Sequence, residues 1–184
     1  RRGGEMSGIF ILCTGPSFDE FDLSLIPKDR AIGCNWAQQR FPAKYHAFVD
    51  PRHLDQCFNR CGGYKEVFDG STMETDLNNG FVRNLGSGLK GECFSTDLMH
   101  GAYVGETVAY FALQIAYHLN AAEIYFMGLD LGPPDGEHNF ESMRFMLEKG
   151  GRWLWDHGVS VYNFGRAKIE SIPNIEKNEN QAIF

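Results

Sequence analysis

The sequence contains no long apolar run. A membrane-spanning helix needs ~20 consecutive apolar residues, and no stretch of this chain approaches that length. Residues 1–11 also lack the extended apolar region of a signal peptide. We therefore expect a soluble protein of the cytoplasm with no transmembrane segment.

The chain also lacks an excess of positive charge. It has 17 Lys and Arg against 24 Asp and Glu, for a formal net charge of −7. Sequence-independent binding to nucleic acid requires the neutralisation of many phosphates. We therefore expect no nucleic-acid partner, although a local basic pocket for a smaller anion is compatible with this balance.

Cysteines are few and odd in number, with five in 184 residues, so a disulfide framework is not expected. Cys57 and Cys61, together with His53, are of the residue types that bind zinc. Their Cys-x3-Cys spacing differs from the common Cys-x2-Cys knuckle, and no second pair follows. We predict no metal site and interpret the cysteines as reduced structural thiols.

What the chain has in quantity is apolar residues, 43% of the total, which is enough to bury a core. Its length suits one domain over residues 1–184, with loose termini at 1–7 and 176–184. Four short apolar runs flanked by turn-forming residues predict neighbouring inner strands at 9–13, 31–34, 46–49 and 124–128. Weaker patterns predict strands at 64–68, 80–85 and 159–163, and apolar spacings predict helices at 107–119 and 141–157. This order predicts an α/β fold: a Rossmann-like, mostly parallel sheet with helices on both faces.

Ligands of such sheets bind beyond the carboxyl ends of the strands. Thr14, Gly15, Pro16 and Ser17 follow the first strand. Gly15 would let the backbone approach a ligand, and the amides and the Ser17 hydroxyl of this turn could hold a phosphate. The turn lacks the lysine of a Walker loop, and an ordinary tight turn between strand and helix is the alternative.

Polar residues also end two further strands. The amide of Asn35 can donate and accept, which suits a base or ribose edge, although a turn-capping role is the alternative. Asp130 ends the strand at 124–128 and precedes a loop that reaches His138. That histidine could act as a general acid or base near neutral pH, and the alternative is a solvated loop residue.

These segments together resemble a known family. Residues 11–24, 33–35 and 121–130, followed by His138 before a helix, resemble the bacterial sialyltransferases that use CMP-sialic acid. They also resemble the related lipopolysaccharide-core and phage-encoded proteins of the DUF115 and Kdo-transferase-like type. The matching segments occur in the same order and with similar spacing.

The resemblance implies a glycosyltransferase that needs neither metal nor cofactor. It would bind a cytidine nucleotide sugar of the CMP-sialic acid or CMP-Kdo class, with His138 as the catalytic base. Its partner would be a glycan or lipopolysaccharide acceptor, and its location cytoplasmic or peripheral at the inner membrane. The donor site would comprise Thr14, Gly15, Pro16, Ser17, Asn35, Thr107 and Asp130.

Three departures from the family pattern bear on the sugar. Thr14 replaces the usual Asn, and Val108 and Ala109 follow Thr107 in place of Ser and Gly. Leu131 stands where the family has tyrosines that assist the leaving phosphate. These differences favour a Kdo-type sugar or another nucleotide ligand over sialic acid.

Two other functions stay open. A pyrophosphokinase-like enzyme of the DUF115 group would need Mg²⁺ and converging carboxylates, for which Asp50, Asp130 and Asp135 are candidates. A non-catalytic domain that binds a nucleotide or glycan, as a phage or cell-surface accessory, would account for the departures.

Overall fold

The computed structural model describes residues 8–50, 93–98, 101–132 and 139–175, and the backbone of residues 66–69 and 82–84. The predicted loose termini and the Cys57, Cys61 and His53 group lie outside these residues. Among the described helices, none combines the length and apolar character needed to cross a membrane.

Within the described residues, seven strands form one sheet in the order β5-β4-β3-β2-β1-β6-β7. Every neighbouring pair is parallel. The strands are β1 (Ile9–Leu12), β2 (Ala31–Cys34), β3 (Tyr45–Phe48), β4 (Glu66–Asp69), β5 (Val82–Asn84), β6 (Glu123–Met127) and β7 (Ser160–Asn163). The four predicted inner strands are therefore neighbours in the middle of the sheet, as expected.

The central strands are apolar because both of their faces are covered. Every residue of β1, β2 and β3 is buried. Ile11 of β1 lies between Ile32 of β2 and Phe126 of β6, so three large apolar side chains pack side by side across the sheet. A strand with two covered faces has a continuous run of apolar residues in its sequence, and this is the pattern that predicted these strands.

Two long helices cover one face of the sheet. Helix α2 (Val108–His118) and helix α3 (Phe140–Asp156) pack with Ile9, Ile11 and Ile124 in one core cluster. Both helices lie within about one residue of their predicted bounds, a usual margin for helix ends.

Short helical segments cover the opposite face. They are 3-10 helices at Pro16–Glu20, Leu23–Leu25 and Lys28–Arg30, and the four-residue helix α1 (Ala37–Arg40). Phe18 and Phe41 from these segments pack on Phe10 and Leu12 of β1. The expected helices on both faces are present, but on this side they are short because Pro16, Asp22 and Pro27 begin a new turn every few residues.

A buried glutamine fixes the chain that leads into α2. The Gln114 Oε1 atom accepts hydrogen bonds from the amides of Ser95 and Tyr103, each at 3.0 Å. Its Nε2 atom donates to the carbonyl of Tyr103 at 2.7 Å. Phe94 stacks on Trp153 of α3 with ring centroids 4.2 Å apart. These contacts hold residues 93–98 and 101–107 against the helices and so set the position of the α2 N-terminus.

Candidate functional site

A cleft of about 1090 Å³ lies at the carboxyl edge of the sheet. Its walls come from the ends of β1, β2, β3 and β6, the start of α2, and the first turns of α3. Six of the predicted donor-site residues line it: Thr14, Gly15, Pro16, Asn35, Thr107 and Asp130.

Gly15 is required by the protein's own packing. Its amide donates to the carbonyl oxygen of Gly128 at 2.9 Å. A Cβ on residue 15 would clash with that carbonyl oxygen and lie 2.7 Å from Oδ2 of Asp130. The loop after β6 approaches this glycine closely, and the predicted approach of a ligand to it stays a prediction.

Two amides of this turn, those of Gly15 and Ser17, already have acceptors within the protein. The amides of Cys13 and Gly15 donate to the carbonyls of Met127 and Gly128, and that of Ser17 donates to Asp130. Pro16 has no N–H. The amides of Gly15 and Ser17 therefore join β1 to the loop after β6, and the phosphate-holding role of this turn stays a prediction.

Ser17 lies behind the loop rather than in the cleft wall, and it is only 2% exposed. Its hydroxyl donates to Oδ1 of Asp130 at 2.5 Å and its amide donates to Oδ2 at 2.7 Å. The amide of Arg166, after β7, also donates to Oδ1 of Asp130, at 2.8 Å. The Asp130 carboxylate thus ties together the loops after β1, β6 and β7, while the ligand roles predicted for Ser17 and Asp130 stay predictions.

Asn35 follows β2 with a φ of 47°, in the left-handed region that Asn tolerates better than most residues. The backbone amide of Asn35 donates to the carbonyl of Ala47 at 3.0 Å. The His46 Nε2 atom lies 3.2 Å from the backbone carbonyl oxygen of Asn35. These contacts tie residue 35 to β3. They fix the backbone position of Asn35, which lines the cleft.

The N-terminus of α2 opens on the cleft. Gly105 and Glu106 have φ values of 55° and 62°, which turn the chain into the helix. The Thr107 hydroxyl oxygen caps it by accepting from the Ala109 amide at 3.3 Å, which leaves the hydroxyl proton available to a ligand. A helix N-terminus carries partial positive charge and favours anions. Thr107, Val108 and Ala109 all line the cleft.

Residues at the start of α3 line the cleft although the sequence did not single them out. Phe140, Glu141, Met143 and Arg144 form this wall, and Arg144 is exposed. The helix itself could be predicted from its apolar spacing. The first turns of α3 lie over the strand ends because α3 packs beside α2. No local sequence pattern predicts that packing.

His138 and Asp135 lie outside the described residues. Gly132 and Phe140, which flank residues 133–138 in the chain, both line the cleft. The described residues contain no group of three or more His, Cys, Asp or Glu side chains placed to hold a metal ion. The catalytic role of His138 stays a prediction.

Comparisons with known proteins show that the fold of this chain is similar to that of a solved structure. No protein-family model matches the chain, and no curated protein matches it. A solved structure of the sialyltransferase CstII from Campylobacter jejuni, in complex with the substrate analogue CMP-3FNeuAc, superposes with a TM-score of 0.55 at 16% identity. The superposition covers 86% of this chain and 80% of that one. Over most of its length, the chain therefore has a fold like that of a glycosyltransferase.

Proposed function

We propose that this chain is a glycosyltransferase-type domain. It binds a cytidine nucleotide sugar of the CMP-sialic acid or CMP-Kdo class and transfers the sugar to a hydroxyl of a glycan or lipopolysaccharide. One observation carries the proposal: Thr14, Asn35 and the N-terminus of α2 open on one cleft. The fold that builds this cleft is similar to that of an enzyme whose structure holds a CMP-sugar analogue.

The donor phosphate binds at the α2 end of the cleft. The amides after Gly15 are engaged within the protein, so the phosphate is stabilised by the helix N-terminus and the Thr107 hydroxyl. Arg144 supplies a full positive charge on the facing wall. This charge matters because four acidic residues also line the cleft and repel an anion: Asp50, Glu106, Asp130 and Glu141.

The nucleoside lies along the ends of β1 and β2. The Asn35 side chain can donate to and accept from the edge of a cytosine ring, whose 4-amino group donates and whose N3 atom and 2-carbonyl oxygen accept. Thr14 is exposed on the β1 loop and offers a hydroxyl to the ribose or phosphate. This arrangement follows the rule that nucleotides bind where neighbouring parallel strands end.

The transfer needs little chemistry from the protein beyond positioning and charge stabilisation. The acceptor hydroxyl attacks the anomeric carbon as the bond to CMP breaks, with inversion at that carbon. His138 takes the hydroxyl proton as the new bond forms. Such assistance contributes ~10² to 10⁴ in rate.

The Mg²⁺-dependent alternative has weaker support. Asp50 and Asp130 both line the cleft, but the Asp130 carboxylate already accepts three hydrogen bonds from Ser17 and Arg166. A metal ion at Asp130 would compete with these bonds. The pyrophosphokinase-like hypothesis therefore requires the Asp130 hydrogen bonds to rearrange, whereas the glycosyltransferase hypothesis does not.

A transfer assay tests the proposal. The wild-type protein is incubated with CMP-sialic acid or CMP-Kdo and glycan or lipopolysaccharide acceptors, with and without EDTA. We expect transfer that survives EDTA, and we expect His138→Ala to lower its rate ~10² to 10⁴-fold at unchanged CMP affinity. Transfer lost to EDTA would contradict the metal-independent mechanism. A folded protein that binds CMP but never transfers or hydrolyses would favour the non-catalytic domain.

A further inference from the structure

Two cysteines lie side by side on the floor of the cleft. In the β1–β2 register Leu12 is opposite Gly33, so Cys13 and Cys34 are opposite each other at the next position. Both side chains belong to the core cluster on the same face of the sheet, and both line the cleft. The Cys13 side chain interacts with the Cys34 thiol. Neither is used in the proposed transfer.

The spacing of the strands suits a bond between these sulfurs. Neighbouring strands lie about 4.8 Å apart, which is inside the ~4.4 to 6.8 Å range of Cα separations seen across disulfides. Both cysteines are free thiols in the structure. A bond between them therefore needs no large backbone movement.

The two thiols are not equivalent. Cys13 is 8% exposed and Cys34 is 1% exposed, so a reagent in the cleft meets Cys13 first. The neighbouring Cys13 thiol and burial raise the pKa of Cys34, which therefore favours its protonated form. This arrangement makes Cys13 the attacking thiol and Cys34 the thiol that completes the bond.

We propose that Cys13 and Cys34 form a reactive dithiol, a covalent modification site on the floor of the cleft that hydrogen peroxide converts to a disulfide. The Cys13 sulfur attacks one peroxide oxygen, which breaks the O–O bond and leaves a sulfenic acid and one water molecule. The Cys34 sulfur then attacks the Cys13 sulfur, and the hydroxyl leaves as a second water molecule. Both cysteine sulfurs are oxidised, and the peroxide is reduced by two electrons.

The disulfide would act on the cleft, a consequence that rests on the proposed function. Cys13 directly precedes Thr14, and Cys34 directly precedes Asn35. A covalent link between these positions fixes the ends of β1 and β2 relative to each other and so limits the movement of the two donor-site residues. We therefore expect the oxidised protein to bind CMP more weakly than the reduced protein.

Peptide mapping tests the dithiol directly, because trypsin places every cysteine on a different peptide. The fully reduced wild-type protein is treated with dilute hydrogen peroxide, alkylated, digested without reductant and analysed by mass spectrometry. The five peptides are 3–28 with Cys13, 31–40 with Cys34, 53–60 with Cys57, 61–65 with Cys61 and 91–144 with Cys93. We expect a product joining 3–28 to 31–40, lighter than their sum by two hydrogen atoms.

Exposed Cys93 provides the control, since it shows that the oxidant was active. Cys93→Ala should leave the 3–28 to 31–40 link unchanged. Cys34→Ala should leave a Cys13 sulfenic acid that dimedone traps, and circular dichroism checks that this variant folds. Oxidation of Cys93 without any 3–28 to 31–40 product in the folded wild-type protein would overturn the dithiol.

Added CMP separates this proposal from the proposed function. If CMP occupies the cleft, a large excess should slow formation of the link roughly tenfold or more, because the ligand shields Cys13. A link that forms at the same rate with and without CMP would keep the dithiol and count against the nucleotide site. A missing link in a protein that binds CMP would count against the dithiol alone.

Discussion

The carboxylate of Asp130 holds Ser17 through two hydrogen bonds, one from its amide at 2.7 Å and one from its hydroxyl at 2.5 Å. The two residues are 113 positions apart in the chain. Because Arg166 also donates to this carboxylate, Asp130 fixes three strand-end loops relative to one another. Through these bonds Asp130 contributes to the shape of the cleft.

Removing the Ser17 hydroxyl should therefore reduce stability. Ser17→Ala leaves the buried side of the Asp130 carboxylate short of a donor, and we expect a loss of about 1 to 3 kcal/mol in the free energy of unfolding. Urea denaturation of the wild type and the variant measures this change in the free energy of unfolding. Ser24→Ala is the matched control, because its hydroxyl donates to the carboxylate of Asp22 at the surface and should change stability by less than about 0.5 kcal/mol. A Ser17→Ala protein of unchanged stability but weakened CMP affinity would show instead that Ser17 binds the ligand.

Gly15→Ala should destabilise the protein without any ligand present. The added Cβ has no room beside Gly128 and Asp130, and overpacking of this kind costs typically about 1 to 3 kcal/mol. Gly132→Ala tests a glycine of the same cleft, where a Cβ would meet nothing closer than Phe140 at 4.0 Å. Thermal unfolding of both variants should show a lower midpoint for Gly15→Ala only. Equal midpoints would mean that the β1 loop is free to move away from β6.

Thr107→Ala should remove the cap of α2 and lower the free energy of unfolding by about 1 kcal/mol, whereas Thr107→Ser keeps the capping oxygen and should stay close to the wild type. If the Thr107 hydroxyl also donates to the donor phosphate, CMP affinity falls in the alanine variant and not in the serine variant. Chemical denaturation and a CMP titration measure the two effects separately. Loss of stability with full CMP affinity would confine Thr107 to a structural role.

Stability should fall between about pH 7.5 and 5.5 partly because of His118. Burial lowers the pKa of His118 below its ordinary value of 6.5, so the folded state holds this ring neutral. As pH drops through the ordinary value, His118 becomes protonated in the unfolded chain while it stays neutral in the folded protein, so the folded state loses stability. We expect His118→Gln to lose less stability than the wild type over this window. An NMR titration that places the His118 pKa at or above 6.5 would contradict this prediction.

The sheet could be predicted because its central strands are short apolar runs between breakers. Ile9–Leu12 and Ala31–Cys34 owe their pattern to burial on both faces, a property that each strand carries in its own residues. The strand order is not local, and the 3-10 helices at Pro16–Glu20 and Leu23–Leu25 are too short to show a helical period.

The candidate site was predictable only where it follows strand ends. Thr14, Asn35 and Asp130 could be named because polar residues after buried strands meet at one edge. The pairing of Ser17 with Asp130 could not, because nothing near either residue marks a partner so distant in the chain. Arg144 was missed for a similar reason, since its place in the cleft depends on how α3 packs beside α2.

A calorimetric titration of CMP tests most directly whether this cleft binds a cytidine nucleotide. We expect the wild-type protein to bind one CMP per chain, more tightly than UMP or GMP. Arg144→Ala should weaken binding roughly tenfold, which corresponds to about 1.4 kcal/mol. Arg152→Ala is the matched control on the same helix, since Arg152 pairs with Glu148 and Glu170 and does not line the cleft. A folded wild-type protein that takes up no CMP, or equal losses in the two arginine variants, would contradict a nucleotide site in this cleft.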